Sequence, residues 1–137
     1  MDVNAIVQEI LDRVLLPFGV VSHDTRHVKV DKIDGSDVKV NNDEYVVYRV
    51  LSNRPRAYGD GAQILFRAYV DVNYYYTYEK TDERAAGVKD RLQAVKREIL
   101  RDEHFRIVND ITDTPDVDNP YRGLNVEFAY IGSVGNG

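Results

Sequence analysis

An α+β domain is the fold class this sequence predicts: an antiparallel or mixed β-sheet packed against two amphipathic helices in two layers, with a protruding hairpin. Three observations predict it. Apolar residues recur at three- and four-residue spacing in 2–16 and 82–103, the period of a helix with one buried stripe. Strict alternation in 64–76 and 124–130 is the period of strands with one buried face. Asp34-Gly35 between two alternating arms marks a tight hairpin, because a type I′ turn needs positive φ at both central positions.

The first helix runs from about Asp2 to Leu16, with Val3, Ile6, Val7, Ile10, Leu11, Val14 and Leu15 as its stripe, and Pro17 and Gly19 end it. His27 to Ile33 and Asp37 to Val40 alternate and form the arms of the hairpin, a projecting element or a sheet edge guarded by Lys29, Lys32 and Lys39. Asn41 to Asp43 reads as a turn. Tyr45 to Leu51 is nearly all apolar and suits a central strand. Ser52 to Gln63 is expected to be a loop, long enough to carry function.

The next strand, Ile64 to Tyr76, places Phe66, Ala68, Val70, Val72, Tyr74 and Tyr76 on the face of Ile64, and Leu65, Arg67, Tyr69, Asp71, Asn73 and Tyr75 on the other. At about 3.3 Å per residue it spans roughly 43 Å, so it overhangs a small domain or bends. Thr81 or Asp82 caps a second helix, with Ala85, Val88, Leu92, Val95 and Ile99 buried and Lys89, Asp90, Lys96, Arg97, Arg101 and Asp102 solvated. Phe105 to Ile111 is a further strand, Thr112 to Arg122 a loop, and Leu124, Val126, Phe128 and Tyr130 mark the last strand before a flexible tail, 133–137.

The chain of 137 residues is expected to form a single domain, 1–137. Cysteine is absent, which removes disulfides, thiol nucleophiles and thiolate metal sites. The sequence holds no apolar run long enough to span a membrane, and its acidic N-terminal segment is unlike a secretory signal. A net charge of −5 disfavours gripping nucleic acid as the main task.

The residues that invite chemistry have plainer readings. His23 and His27 flank a loop-to-strand junction, where four extended residues separate them by about 13 Å, with no third ligand nearby in sequence. Ser22, Ser36, Ser52 and Ser133 lack the context of an activated nucleophile. Asp116 and Asp118 alternate in a Pro-containing loop, where carboxylates face solvent. Gly59-Asp60-Gly61 is too short to cradle phosphate and reads as a turn. No enzymatic role, cofactor or metal is expected.

What remains is surface. Arg54, Arg56, Tyr58, Asp60 and Arg67 read as an interface loop and its flank, since Arg and Tyr are common interface anchors. Tyr69, Tyr74, Tyr75 and Tyr76 load both faces of the long strand with amphipathic rings, as expected when one face meets helices and the other a neighbouring subunit.

The element order, together with Tyr45 to Tyr48, the Gly59-Asp60-Gly61 turn, the strand Ile64 to Tyr76, the helix residues Ala85, Val88, Leu92 and Ile99, and Phe128 and Tyr130, resembles the tail terminator (tail completion) proteins of long-tailed bacteriophages. The resemblance implies a sheet packed against helices. It further implies a homo-oligomeric ring, commonly a hexamer, that caps the finished tail tube, ends its polymerisation and offers a head–tail joining surface. Its partners would be further copies of itself, the tail tube protein and a head connector or neck protein, with DNA passing through the lumen without specific binding. The place implied is the virion at the head–tail interface, and the host cytoplasm during assembly. The rival readings are another head–tail connector, a small ligand-binding module with an apolar pocket under the Tyr-rich strand, or a metal-dependent hydrolase built on His23 and His27.

Overall fold

A computed structural model describes residues 2–25, 43–56, 65–77, 83–114 and 121–133. The Asp34-Gly35 hairpin, His27, Asn41-Asn42, Tyr58, the Gly59-Asp60-Gly61 turn, the Thr81 or Asp82 cap, Asp116 and Asp118, and residues 134–137 lie outside them.

Helix α1 (Val3–Leu15) starts on Asp2, whose side chain accepts the Ala5 N–H at 3.2 Å and so satisfies one of the unpaired donors of the first turn. Pro17 does not cut the chain off at once but falls in a 3₁₀ turn, Leu16–Phe18. Gly19 then ends it at φ 75°, a left-handed conformation that costs a side chain energy, with its N–H on the Leu16 carbonyl at 2.8 Å. The Val20 N–H returns to the Leu15 carbonyl at 3.2 Å, so the turn ties the end of the helix to the start of the sheet.

The strands are β1 (Val21–Asp24), β2 (Glu44–Arg56), β3 (Leu65–Thr77), β4 (Phe105–Asp113) and β5 (Tyr121–Ser133), with α2 (Glu83–Leu100) between β3 and β4. They form one five-stranded mixed sheet in the order β1-β2-β3-β5-β4. The β1–β2 pair is parallel and the other pairs are antiparallel. The long alternating strand is central, with β2 on one side and β5 on the other.

Alternation sorts the side chains cleanly. Ala68, Val70, Val72, Tyr74 and Tyr76 of β3, Val46 and Tyr48 of β2, and Leu124, Val126, Phe128 and Tyr130 of β5 are all buried in one cluster with the stripes of both helices. Those stripes are Val3, Val7, Ile10, Leu11 and Leu15 of α1 and Val88, Leu92, Val95 and Ile99 of α2, so both helices cover the same face of the sheet. At roughly 1.5–3 kcal/mol per fully buried large apolar side chain, this cluster is the main source of stability.

Several expectations change. Thr112, Asp113, Tyr121 and Arg122, expected as loop, belong to the end of β4 and the start of β5. His23, expected at a loop-to-strand junction, lies within a strand, Val21–Asp24, which pairs with the apolar edge of β2, with Val21 opposite Tyr45 and Asp24 opposite Tyr48. Residues 52–56, expected as loop, continue β2, because β3 runs on beside them and pairs Asn53 with Arg67 and Arg56 with Leu65. The irregularity between Asn53 and Arg56 contains Pro55, which cannot donate to a ladder and is tolerated at such a break. Helix α2 ends at Leu100 rather than near Glu103. Ser133, expected to open the tail, is the last residue of β5 and pairs with Leu65.

The turn after α2 is held by a compact set of bonds. Asp102 accepts the His104 backbone N–H at 2.9 Å and its ring Nδ1 lies 2.7 Å away. Partial burial opposes ionisation of Asp102, but these bonds and the His104 ring outweigh it and hold the carboxyl below its usual value. The His104 ring stacks on Tyr130 with centroids 5.3 Å apart, and its carbonyl accepts the Ile131 N–H at 3.0 Å. This Asp–His pair closes a turn.

Gly19→Ala is expected to lower folding stability by about 1–2 kcal/mol, the cost of forcing a Cβ into the left-handed region. Urea unfolding checks it: a lower midpoint with an unchanged slope is the expected result.

Candidate functional site

The sheet has a second face, and on it the side chains are sorted by charge. Tyr45, Val47, Arg49 and Leu51 of β2, Arg67, Tyr69, Asp71, Asn73 and Tyr75 of β3, and Asn125, Glu127, Ala129 and Ile131 of β5 point away from the helices, because their neighbours along each strand point towards them. Register arranges them in rows. Leu51, Tyr69, Ala129 and Arg106 stand side by side across four strands. The next row towards the loop ends of β2 and β3 holds Asn53, Arg67 and Ile131, and the row on the other side holds Arg49, Asp71 and Glu127.

The first of these rows is open. Leu51 is 52% exposed and Tyr69 40%, two of the large apolar side chains most open to solvent among the described residues. Arg49, Arg67 and Arg106 are exposed around them, and none has an ion pair among the described residues. The acids of this face are half-buried and engaged: Asp71 accepts a hydrogen bond from the Asn125 amide, and Glu127 one from Asn109 at 2.7 Å.

Towards the opposite end of β3 the same face closes up. Tyr45 and Val47 are buried, and the Tyr45 and Tyr75 rings meet at 5.1 Å. Burial, with the Asp71 charge adding to it, pushes the Tyr75 hydroxyl above its ordinary value. His23, on β1 beside Val47, carries a buried Nε2 with no hydrogen-bond partner among the described residues, and burial lowers its pKa, which favours the neutral ring. Among the described residues no group of three or more His, Asp or Glu side chains is placed to hold a metal ion.

The expected contact residues therefore divide. Arg67 and Tyr69 are exposed on the outer face, and Tyr75 is half-buried there. Arg54 and Arg56 belong to β2, not to a loop, and Tyr58 and Asp60 lie outside the described residues. Tyr74 and Tyr76 are corrected: both are buried on the helix side, because they share the parity of Val70 and Val72, and neither offers a surface.

Tyr74 instead belongs to a cluster that sequence reasoning missed. Its hydroxyl donates to Glu44 Oε1 at 2.7 Å and accepts from Arg91 Nε at 3.0 Å, while the Arg91 guanidinium also binds Glu44 directly. Glu44 is buried, and the cation of Arg91 lies 5.2 Å from the centroid of the Phe18 ring. Burial pushes the Tyr74 hydroxyl far above the ordinary value, with Arg91 acting against that and Glu44 with it. The signal was present: Arg91 is three residues after Val88 and four before Val95, on the buried stripe of the helix, where a charge requires a partner. A second polar link joins α1 to the sheet, where Tyr48 donates to Gln8 at 2.6 Å, Gln8 donates to Ser22 O at 3.2 Å and to Asp12 at 2.9 Å, and Asn4 donates to Asp24 at 2.8 Å.

Arg91→Met is expected to cost about 3 kcal/mol, since it strands the Glu44 carboxylate in the interior. Glu44→Gln combined with Arg91→Met is expected to lose well under the sum of the single losses, as measured by urea midpoints in a double-mutant cycle. Tyr74→Phe is expected to cost about 1–3 kcal/mol. Because the folded pKa of Tyr74 is raised, its contribution is complete below the ordinary tyrosine value of about 10 and is lost as pH rises above it. Tyrosinate absorbance is expected to show one fewer late-titrating hydroxyl in Tyr74→Phe than in the parent chain.

No described helix is long and apolar enough to cross a membrane. Comparison of the chain with protein-family models and with curated proteins gave no match.

Proposed function

We propose that the chain is a structural assembly protein of the phage tail, a terminator that caps the tail tube as a ring, ends tube polymerisation and presents a joining surface to the head connector. The observation that carries this reading is the open outer face of the sheet, where Leu51 and Tyr69 stand exposed among Arg49, Arg67 and Arg106, which have no ion pair among the described residues. Exposed apolar side chains set among arginines are the makings of a protein interface. The α+β fold, with a mixed sheet under two helices, is also the fold that the resemblance to tail terminators implies. The mechanism is surface complementarity: one side of the ring matches the open end of the tube, and the other blocks further addition or receives the neck. An acidic chain suits a channel that DNA must pass without being held, because a basic lumen would retain phosphate.

Absolute mass by light scattering, across a concentration series and with tail tubes added, tests the proposal. A hexamer, or a monomer that becomes a ring only on tubes, is the expected result. A monomer indifferent both to concentration and to tubes overturns it.

A further inference from the structure

Two exposed surfaces of this chain complement each other, and they lie on opposite sides of the fold. The first is the outer sheet face around Leu51 and Tyr69, ringed by Arg49, Arg67 and Arg106. The second is the end of α1 and the 3₁₀ turn that follows it, on the helix layer. There Leu16 is 44% exposed and Phe18 57%, beside a helix whose exposed or half-exposed charges are Asp2, Glu9, Asp12 and Arg13. Arg13 is already engaged by Glu98 at 3.2 Å. Asp2 caps the helix and Asp12 accepts from Gln8, which leaves Glu9 as an exposed carboxylate with no ion pair among the described residues. One surface is apolar with cations that have no ion pair among the described residues; the other is apolar with the Glu9 carboxylate near it, the Arg13 and Arg91 cations there being engaged by Glu98 and Glu44.

We infer that the outer sheet face of one copy receives the Leu16–Phe18 turn and the acidic side of α1 from the next copy. The inference rests on the ring reading and names the surfaces that would build it. Two different patches meet in such a contact, so it is heterologous: an open chain of copies keeps one surface free at each end until a ring closes. An isologous pairing of two sheet faces would oppose arginine to arginine, and like charges across an interface cost affinity. The closed end of the face, where Tyr45 and Val47 are buried and Tyr75 is half-buried, offers less apolar surface to a neighbour, which favours contact at the Leu51–Tyr69 end.

The absence of native cysteine makes the test direct. Leu16→Cys and Leu51→Cys replace exposed side chains, and mild oxidation then reports which surfaces meet. A chain carrying both substitutions is expected to give covalent multimers larger than a dimer. An equal mixture of the two single variants is expected to give cross-linked dimers, and each single variant alone none. Charge reversal adds a second measurement: Arg67→Glu is expected to weaken self-association at least about tenfold, and Glu9→Arg on the same chain to restore it. Cross-linking of Leu51→Cys to itself overturns the inference in favour of an isologous pair. Rings seen by light scattering without any 16–51 cross-link overturn this contact while leaving the ring reading standing. A chain that stays monomeric with and without tubes overturns both.

Discussion

Burying the carboxylate of Glu44 is the constraint on which the rest of this structure depends. A buried charge without a partner would cost several kcal/mol, and Glu44 sits at the first position of β2, under the helix layer. It is satisfied from two directions, by Tyr74 near the end of β3 and by Arg91 in the middle of α2. Each of these has its own supporting geometry. Tyr74 points inward because it lies in phase with Val70 and Val72, and Arg91 points inward because it lies on the stripe of Val88 and Val95. The cluster fixes how far α2 slides along the sheet, and Phe18 against Arg91 extends that alignment to the end of α1. Apolar packing supplies most of the energy, but apolar packing tolerates sliding. Directional bonds to one buried carboxylate do not.

That alignment leaves the opposite face of the sheet to a different use. Both helices lie on one side, so they leave the outward residues of β2, β3 and β5 uncovered. At the Tyr45 end Tyr45 and Val47 are nonetheless buried, and the Tyr45 and Tyr75 rings meet there. At the Leu51 end Leu51 and Tyr69 are exposed. An antiparallel sheet with one solvated face usually carries polar side chains there, and the row Leu51, Tyr69 and Ala129 departs from that pattern. The departure is local and bordered by arginines, which is the composition of an interface rather than of a failed core.

Much of this was legible in the sequence, and the illegible parts share a cause. The stripes of α1 and α2 and the alternation of β3 and β5 repeat over several periods, and their buried residues are the ones periodicity selects. The run Tyr74, Tyr75, Tyr76 was readable as two rings in and one out once the phase of Val70 and Val72 was set, although only Tyr75 reaches the outer face. Strand β1 was not readable, since four residues show no period and its ladder is supplied by β2. The extension of β2 through residues 52–56 was hidden for the same reason: its polar composition reads as loop, and only the continuing ladder of β3 makes it a strand. Rows such as Leu51, Tyr69 and Ala129 are invisible in sequence because they depend on register between strands distant along the chain.

The position of the open row also bears on how the chain would assemble. Register places it on the segment of β2 beyond Tyr48, the last residue that the described strand β1 pairs with. The exposed turn Leu16–Phe18 lies on the other side of the molecule, held there by Gly19 and by the contact of Phe18 with Arg91. A rigid body with complementary patches on different sides cannot satisfy both in a two-fold pair. It can satisfy both only by repeating, and the angle between the patches then decides whether the repeat closes or runs on as a filament. The Glu44–Arg91–Tyr74 cluster fixes part of that angle, since it aligns the layer carrying one patch with the sheet carrying the other. The buried charge thus sets the geometry in which the open face can be repeated.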